Sequence, residues 1–361
     1  MPMANLPSPK GRGAPLNLES RRFRLPERQV DGDWLDALVS VDDTPPPLRT
    51  TVTIEHPRSI LSRNTSPDLP FDQSVNAYRG CEHGCIYCYA RPTHAWLDLS
   101  PGLDFESRLF AKPDAAKLLR ATLRKPGYVP KVIALGTNTD PYQPIEAEYR
   151  ITRSILEVCL EARNPVAITT KSDRVLADID LLAEMARHDL VAIALSVTTL
   201  DGAIARTLEP RAASPRKRLA AIRALADRDI PVHMNVSPVV PAITDHEIEA
   251  VVAAGAGAGA LSASFIPVRL PHEVAPLFRA WLDAHFPDRA SKVMSIIQDM
   301  RGGRDNDPDF GTRMRGQGPW AELIRARFRI ALKRAGLNCH AWKLSVEGFR
   351  APADGMQGEL F

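Results

Sequence analysis

From residue 74 onward the chain alternates short apolar runs with longer stretches whose apolar residues recur every three or four positions. Residues 74–78, 131–135, 166–170, 190–197, 231–236 and 259–268 read as strands, being short and apolar and closed by turn residues. Residues 115–124, 146–162, 175–187, 215–228 and 245–254 carry the helical period. A further alternation at Val52 and Ile54 predicts a short strand over residues 50–56. Strands alternating with helices predict an α/β fold with parallel pairing and right-handed crossovers. Six such units fit an incomplete relative of the eight-unit barrel, and periodicity alone does not separate this from an open doubly wound sheet. In both, ligands meet the C-terminal ends of the strands. The residues waiting there are Asn138 and Asp140, Lys171 and Ser172, Ser196 and Thr198, and Asn235 and Ser237.

The flanks lack this pattern. Pro2, Pro7, Pro9, Pro15, Pro26 and Pro45-Pro46-Pro47 break any helix near the start. Lys10, Arg12, Arg21, Arg22, Arg24 and Arg28 outnumber Glu19 and Glu27 there. Residues 1–67 are therefore expected to form an extended basic N-terminal arm, either solvated, laid on phosphates or folded over the barrel. Residues 68–275 are the barrel. Residues 276–361 are a C-terminal extension, helical over 276–285 and 320–335 and ending in a flexible tail. Between those helices, Gly302, Gly303, Gly311, Gly316 and Gly318 mix with Arg301, Arg304, Arg313 and Arg315. That composition suits a loop that clamps phosphate or closes the barrel mouth, or an ordinary solvated linker.

Composition narrows the classes. In 361 residues, 44% are hydrophobic and 25% charged, which is ordinary for a soluble globular protein. No apolar run is long enough to span a bilayer, and the start lacks the apolar core of a signal peptide, so the expected location is cytoplasmic. A net charge of +3 excludes a surface that is a polyanion-binding field throughout and leaves only local basic patches.

Candidate chemistry is concentrated in Arg79-Gly80-Cys81-Glu82-His83-Gly84-Cys85-Ile86-Tyr87-Cys88-Tyr89. Three of the five cysteines fall here, spaced C-x3-C-x2-C, which argues against a disulfide framework. Three thiolates on one loop can hold three irons of a [4Fe–4S] cluster and leave the fourth iron open for chemistry. Gly80 and Gly84 let the loop close around a bulky core. The alternative is a zinc site completed by His83, His94 or Cys159. Zinc pairs usually come as two separated C-x2–4-C sets. Cys159 shares a helix face with Ile155 and Ala162 and reads as a core residue.

With an aromatic before its third cysteine, this loop resembles the signature of the radical S-adenosylmethionine (SAM) superfamily. Several further stretches resemble the spore-photoproduct-lyase-related group, often labelled DNA repair photolyase. They are residues 59–64, the cysteine loop through Arg91-Pro92-Thr93-His94, Gly136-Thr137 with Asp140-Pro141-Tyr142-Gln143-Pro144, and Glu209-Pro210-Arg211. The resemblance implies a partial (β/α)6 TIM-type barrel. It implies Cys81, Cys85 and Cys88 as ligands of a [4Fe–4S] cluster whose open iron binds SAM. Tyr87 would pack on the adenine, Asp140 would lie near the amino group, and Lys171 and Ser196 would meet the carboxylate and ribose. Arg211 is a further carboxylate candidate. A cellular electron donor is implied as well.

The resemblance also implies a lyase or modifying enzyme, with DNA repair or nucleic-acid modification as the expected role. A peptide or small-molecule substrate, or a non-catalytic zinc-stabilised binding module, are the alternatives. Spore photoproduct lyases return a hydrogen atom from a cysteine beyond the cluster. This chain has no cysteine between residues 89 and 158, which leaves Tyr78, Tyr89 or Tyr142 to relay a hydrogen. Tyr87 and Tyr89 are the catalytic candidates nearest the cluster. Finally, Gln357-Gly358-Glu359-Leu360-Phe361 resembles the short peptide by which bacterial repair and replication proteins bind the sliding clamp. Gln357, Leu360 and Phe361 would make the contacts.

Overall fold

The computed structural model describes residues 9–18, 20, 22, 48–337 and 343–353. Among them ten strands follow in order: β1 (Thr51–Ile54), β2 (Leu61–Arg63), β3 (Gln73–Val75), β4 (Tyr78–Arg79), β5 (Arg108–Ala111), β6 (Ile133–Leu135), β7 (Val166–Thr170), β8 (Val191–Ser196), β9 (Val232–Val239) and β10 (Ser262–Pro267). Six of them, β3-β6-β7-β8-β9-β10, lie side by side and parallel. β2 is added antiparallel at the β3 edge. This is the partial (β/α)6 barrel that the resemblance implied, with helices covering its outer face. β1 lies outside it and pairs with β5 in a small sheet completed by β4.

Alternation along the strands sorts the two faces. Val166 and Ile168, Val191, Ile193 and Leu195, and Val232 and Met234 are buried against the helices, in one core with Ile155, Leu156, Cys159, Leu182, Ile222 and Leu225. The intervening residues on the inner face are small or polar: Ala167 and Thr169, Ala192 and Ala194, His233 and Asn235. A complete barrel fills this space with layers of branched apolar side chains. Here it is left shallow and polar, with His233 bonded to Ser262 and Ser264 at 2.7 and 2.8 Å as its floor.

Several elements depart from the pattern. The stretch 146–162 is two helices, Glu146–Tyr149 and Ile151–Ala162, because Arg150 adopts φ +49° between them. The helix Pro287–Asp299 was not expected. Pro287 stands at its first turn, where a missing N–H costs nothing. The C-terminal region is helical otherwise as expected, over Val274–His285 and Gly318–Ala335. Phe278, Trp281, Leu282, Val293 and Ile297 of this extension share a second apolar core with Cys85, Ile86, Tyr87 and Leu208. The cysteine loop is thus packed between barrel and extension. Ile86 is wholly buried there, worth about 2 kcal/mol of apolar transfer. No helix among the described residues is long and apolar enough to cross a membrane.

Candidate active site

The cysteine loop leaves β4 and is fixed at both ends by backbone hydrogen bonds. Cys81 N donates to Phe105 O at 2.9 Å, and Ile86 N to Leu208 O at 3.0 Å. Gly80 and Gly84 both have positive φ, as the tight turns require. Arg91, fully buried, donates to the carbonyls of Cys85 (2.9 Å), Gly84 (3.1 Å), Pro101 (3.1 Å) and Gly102 (3.0 Å). Its charge is matched by buried Glu106 at 2.5 Å. The planar guanidinium therefore knots the loop from beneath.

The N-terminal arm joins this knot. Gly13 N and Ala14 N donate to the two Glu106 carboxylate oxygens at 2.9 and 2.8 Å. Arg12 donates to Glu106 O and Leu48 O, both at 2.6 Å. Gly13 lies so close to the loop that a Cβ there would sit 1.8 Å from Gly84 O. Of the readings open for the arm, residues 9–18 follow the one in which it folds over the protein.

Cys81 and Cys85 are buried, and Cys88 is partly exposed. Burial, then the nearby Asp140 and Cys85, push the Cys81 thiol up. Burial and Glu209 push Cys85 up to about 12. Such thiols become thiolates when a metal takes the proton's place. Among the described residues, no three His, Cys, Asp or Glu side chains converge as the ligand set of a single ion. The all-sulfur donor set and its spacing fit an iron–sulfur cluster.

Beside the thiols lies a buried ion group that the sequence did not single out. Glu209 accepts from the Tyr87 hydroxyl, from Thr198 Oγ1 at 2.7 Å and from Arg218. Burial would raise the Glu209 carboxyl, but Arg218 and Lys171 outweigh it and hold it at about 2. Arg218 also donates to Ser196 O at 3.1 Å and to Ala213 O at 2.7 Å. Lys171 continues the inner-face parity of Ala167 and Thr169, and its Nζ stands 5.8 Å from the Tyr87 ring centre. Burial opposes its charge, while Cys85 and Glu209 favour it more, so its pKa rises. The sequence signals for this group are Tyr87, the strand-end residues Lys171 and Thr198, and the Glu209-Pro210-Arg211 tripeptide; Arg218 carries none. The glutamate of the tripeptide, rather than its arginine, is the hub.

The other expected site residues are placed as follows. Ser196 shares the inner-face parity of Ala192 and Ala194, paired with Asn235 across the strands. Asp140 has its carboxylate engaged by Tyr142 N (2.9 Å), Thr170 Oγ1 (2.7 Å), Lys171 N (2.8 Å) and His83 (3.3 Å). Burial would raise it, but His83 and these donors hold it at about 2. It ties the ends of β6 and β7 to the cysteine loop. Arg211 pairs with Glu82 at 3.1 Å. Tyr78 and Tyr142 are buried with their hydroxyls on Glu146 and Asp178. Tyr89 is exposed beside Cys88, its hydroxyl on Thr137 O. Cys159 is wholly buried in the main core. The thiols, Tyr87, Lys171 and Ser196 are thus gathered at one end of the sheet.

The model of the family described as the Radical SAM superfamily matches residues 75–254. An uncharacterized protein of Mycobacterium tuberculosis is 36% identical over 265 residues, covering 73% of this chain and 76% of that protein. An uncharacterized protein of Methanocaldococcus jannaschii is 30% identical over 173 residues, covering 48% and 62%. Among solved structures, spore photoproduct lyase complexed with dinucleoside spore photoproduct is similar with a TM-score of 0.53 at 14% identity, covering 78% of this chain and 79% of that one. At that identity the likeness is one of fold. The chain belongs to the radical SAM superfamily.

Proposed function

We propose that this radical SAM enzyme binds its [4Fe–4S] cluster through Cys81, Cys85 and Cys88, lays SAM along the shallow inner face of the sheet, and acts on nucleic acid. Family membership makes the protein an enzyme and sets aside the zinc-stabilised binding module. When bound, reduced cluster and SAM together supply a 5′-deoxyadenosyl radical that takes a hydrogen atom from a substrate. The chain's own residues do the rest. Lys171 offers a cation to the SAM carboxylate and Ser196 a hydroxyl to the ribose. Tyr87 gives the cofactor an aromatic wall, fixed by Glu209. Asp140 serves by positioning the strand ends and His83, and Arg211 by holding Glu82. The Ile86 and Trp281 side of the site excludes water. Tyr89, exposed next to Cys88 where Tyr78 and Tyr142 are buried, passes a hydrogen to the substrate in this reading.

The observation that carries this reading is the meeting of three thiols, Lys171 and Ser196 over an inner face with no bulky apolar filling. Nucleic acid as the substrate is supported by the spore-photoproduct-lyase-like fold and by Arg304 and Arg315, the exposed arginines of the 301–315 loop. Repair by a lyase reaction or base modification both fit it. The test is anaerobic reconstitution with iron, sulfide, SAM and dithionite, followed by addition of DNA or RNA deuterated at the sugar and base. SAM cleavage with deuterium in 5′-deoxyadenosine supports the reading. Cleavage without any transfer from nucleic acid would move the substrate to a peptide or small molecule. A cellular electron donor must replace dithionite in vivo.

Gln357, Leu360 and Phe361 lie outside the described residues. For them we keep the sliding clamp as a proposed partner. It is testable with a peptide of residues 350–361 and its Leu360→Ala, Phe361→Ala form.

A further inference from the structure

We infer that Arg269 is the substrate's anion anchor, receiving a phosphodiester of a single strand at the barrel mouth beside Tyr89. The inference rests on the nucleic-acid reading above.

Arg269 lies two residues beyond the end of β10, the sixth parallel strand, and so at the end of the sheet where the cysteine loop sits. Its guanidinium is half-buried. Nη1 reaches Met314 Sδ at 3.0 Å, a weak acceptor, and Nε is buried with no hydrogen-bond partner among the described residues. Two other arginines share this corner, and both are engaged by the protein. Arg313 donates to Asp68 and Ser66 at 2.6 Å and covers the Phe310 ring at 4.4 Å. Arg301 donates to Arg313 O at 2.7 Å and Val268 O at 3.1 Å; its Nε also lacks a partner among the described residues, but the side chain is buried away from an arriving ligand.

The surroundings of Arg269 pull both ways. Burial and Arg313 disfavour its charge, Tyr89, Asp68 and Asp307 favour it, and the balance lowers its pKa. An arginine keeps its proton in a protein, so the mouth holds a cation for which the described residues supply no carboxylate hydrogen bond. An arriving anion completes it. Phosphate fits the guanidinium fork. The flanks fit a strand too. Tyr89 is an exposed aromatic near Arg269, Phe310 is exposed against the neighbouring Arg313, and Arg304 and Arg315 are exposed along the loop that carries Phe310. Cations interleaved with stacking surfaces are what single-strand sites are made of.

The experiment uses the anaerobic holoenzyme with SAM and a fluorescein-labelled octathymidylate, followed by anisotropy across a salt series. Arg269→Gln should weaken binding about tenfold and make the salt slope shallower by about 0.7, the share of one single-strand phosphate. Arg269→Lys should fall between, and iron content should match wild type in both. Phenylglyoxal labelling of the wild-type holoenzyme, read by peptide mass spectrometry, gives a second readout that needs no variant. The octamer should protect Arg269. Equal affinity of wild type and Arg269→Gln, or labelling of Arg269 unchanged by the octamer, overturns this inference and leaves the nucleic-acid reading standing. An octamer that does not bind the wild type overturns both.

Discussion

Lys171 holds its ammonium 5.8 Å from the centre of the Tyr87 ring, where burial opposes its charge while a Cys85 thiolate and the Glu209 carboxylate favour it more. One cation therefore faces the loop cysteines, the Tyr87 ring and the buried ion group together. Lys171→Met should weaken SAM binding by roughly tenfold, as loss of one charge-assisted contact implies. Iron content should be unchanged. Calorimetry on reconstituted protein measures both, and equal SAM affinity would remove Lys171 from the cofactor site.

Cys81→Ala, Cys85→Ala and Cys88→Ala should each abolish cluster binding, since in the proposed site each thiolate would hold its own iron. Cys159→Ala should retain full iron and cost only roughly 1 kcal/mol for the small cavity left in the core. Cys339, outside the described residues, is expected to be equally dispensable. Iron and sulfide analysis after reconstitution checks the set. Any loop variant that keeps its iron would refute the assignment.

Gly13→Ala puts a Cβ against Gly84 O, where no side chain can yield. The substitution should destabilise the protein by roughly 1–3 kcal/mol, as overpacking does, and lower iron retention as the strap lifts from Glu106. Gly257→Ala, at a helical position with no atom within 4 Å of an added Cβ, is the control. It should be neutral or stabilising by up to about 1 kcal/mol. Urea midpoints read both. A Gly13→Ala protein as stable and iron-rich as wild type would show that the strap is dispensable.

His94 should make stability depend on pH in a predictable direction. Its Nε2 bonds Arg108 O at 3.0 Å, and Nδ1 is buried without a partner. Burial pushes its pKa down to about 4. Between the ordinary value of about 6.5 and 4, the unfolded chain binds a proton that the folded one refuses. The stability present above pH 6.5 is thus lost as pH falls through that window. Glu146, pushed up to about 7 by burial, acts in the opposite sense over an overlapping range. The clean measurement is the difference between wild type and His94→Phe, a ring that keeps the edge-on packing against Phe105. From pH 6.5 to 4.5 the difference should move steadily in favour of the variant. Parallel stability curves would contradict the buried neutral imidazole.

Much of the barrel was legible because its signals are local. The runs at Val166–Thr170 and Val191–Ser196 are strands as the pattern predicts, and the cysteine spacing names its own chemistry. What stayed hidden depends on partners distant in sequence. β5 pairs with β1, more than fifty residues away, and carries no pattern of its own. Arg150 is a good helix former that a tertiary fit turns left-handed. Glu209 shows its role only once Arg218, Tyr87 and Thr198 surround it. The proline-rich arm reads as a tail because most of its hydrogen bonds go to distant residues such as Glu106, Asp104 and Ser100.

The arm also bears on how the loop comes together. Gly13 N meets Glu106 across 93 residues. The Tyr87 hydroxyl meets Glu209 across 122. Ile86 shares its apolar core with Trp281, farther still along the sequence. Contacts of such long range are slow to form, because the intervening loops must close first. The setting of the three thiols is therefore expected to form among the last parts of the fold rather than with the cysteine loop alone.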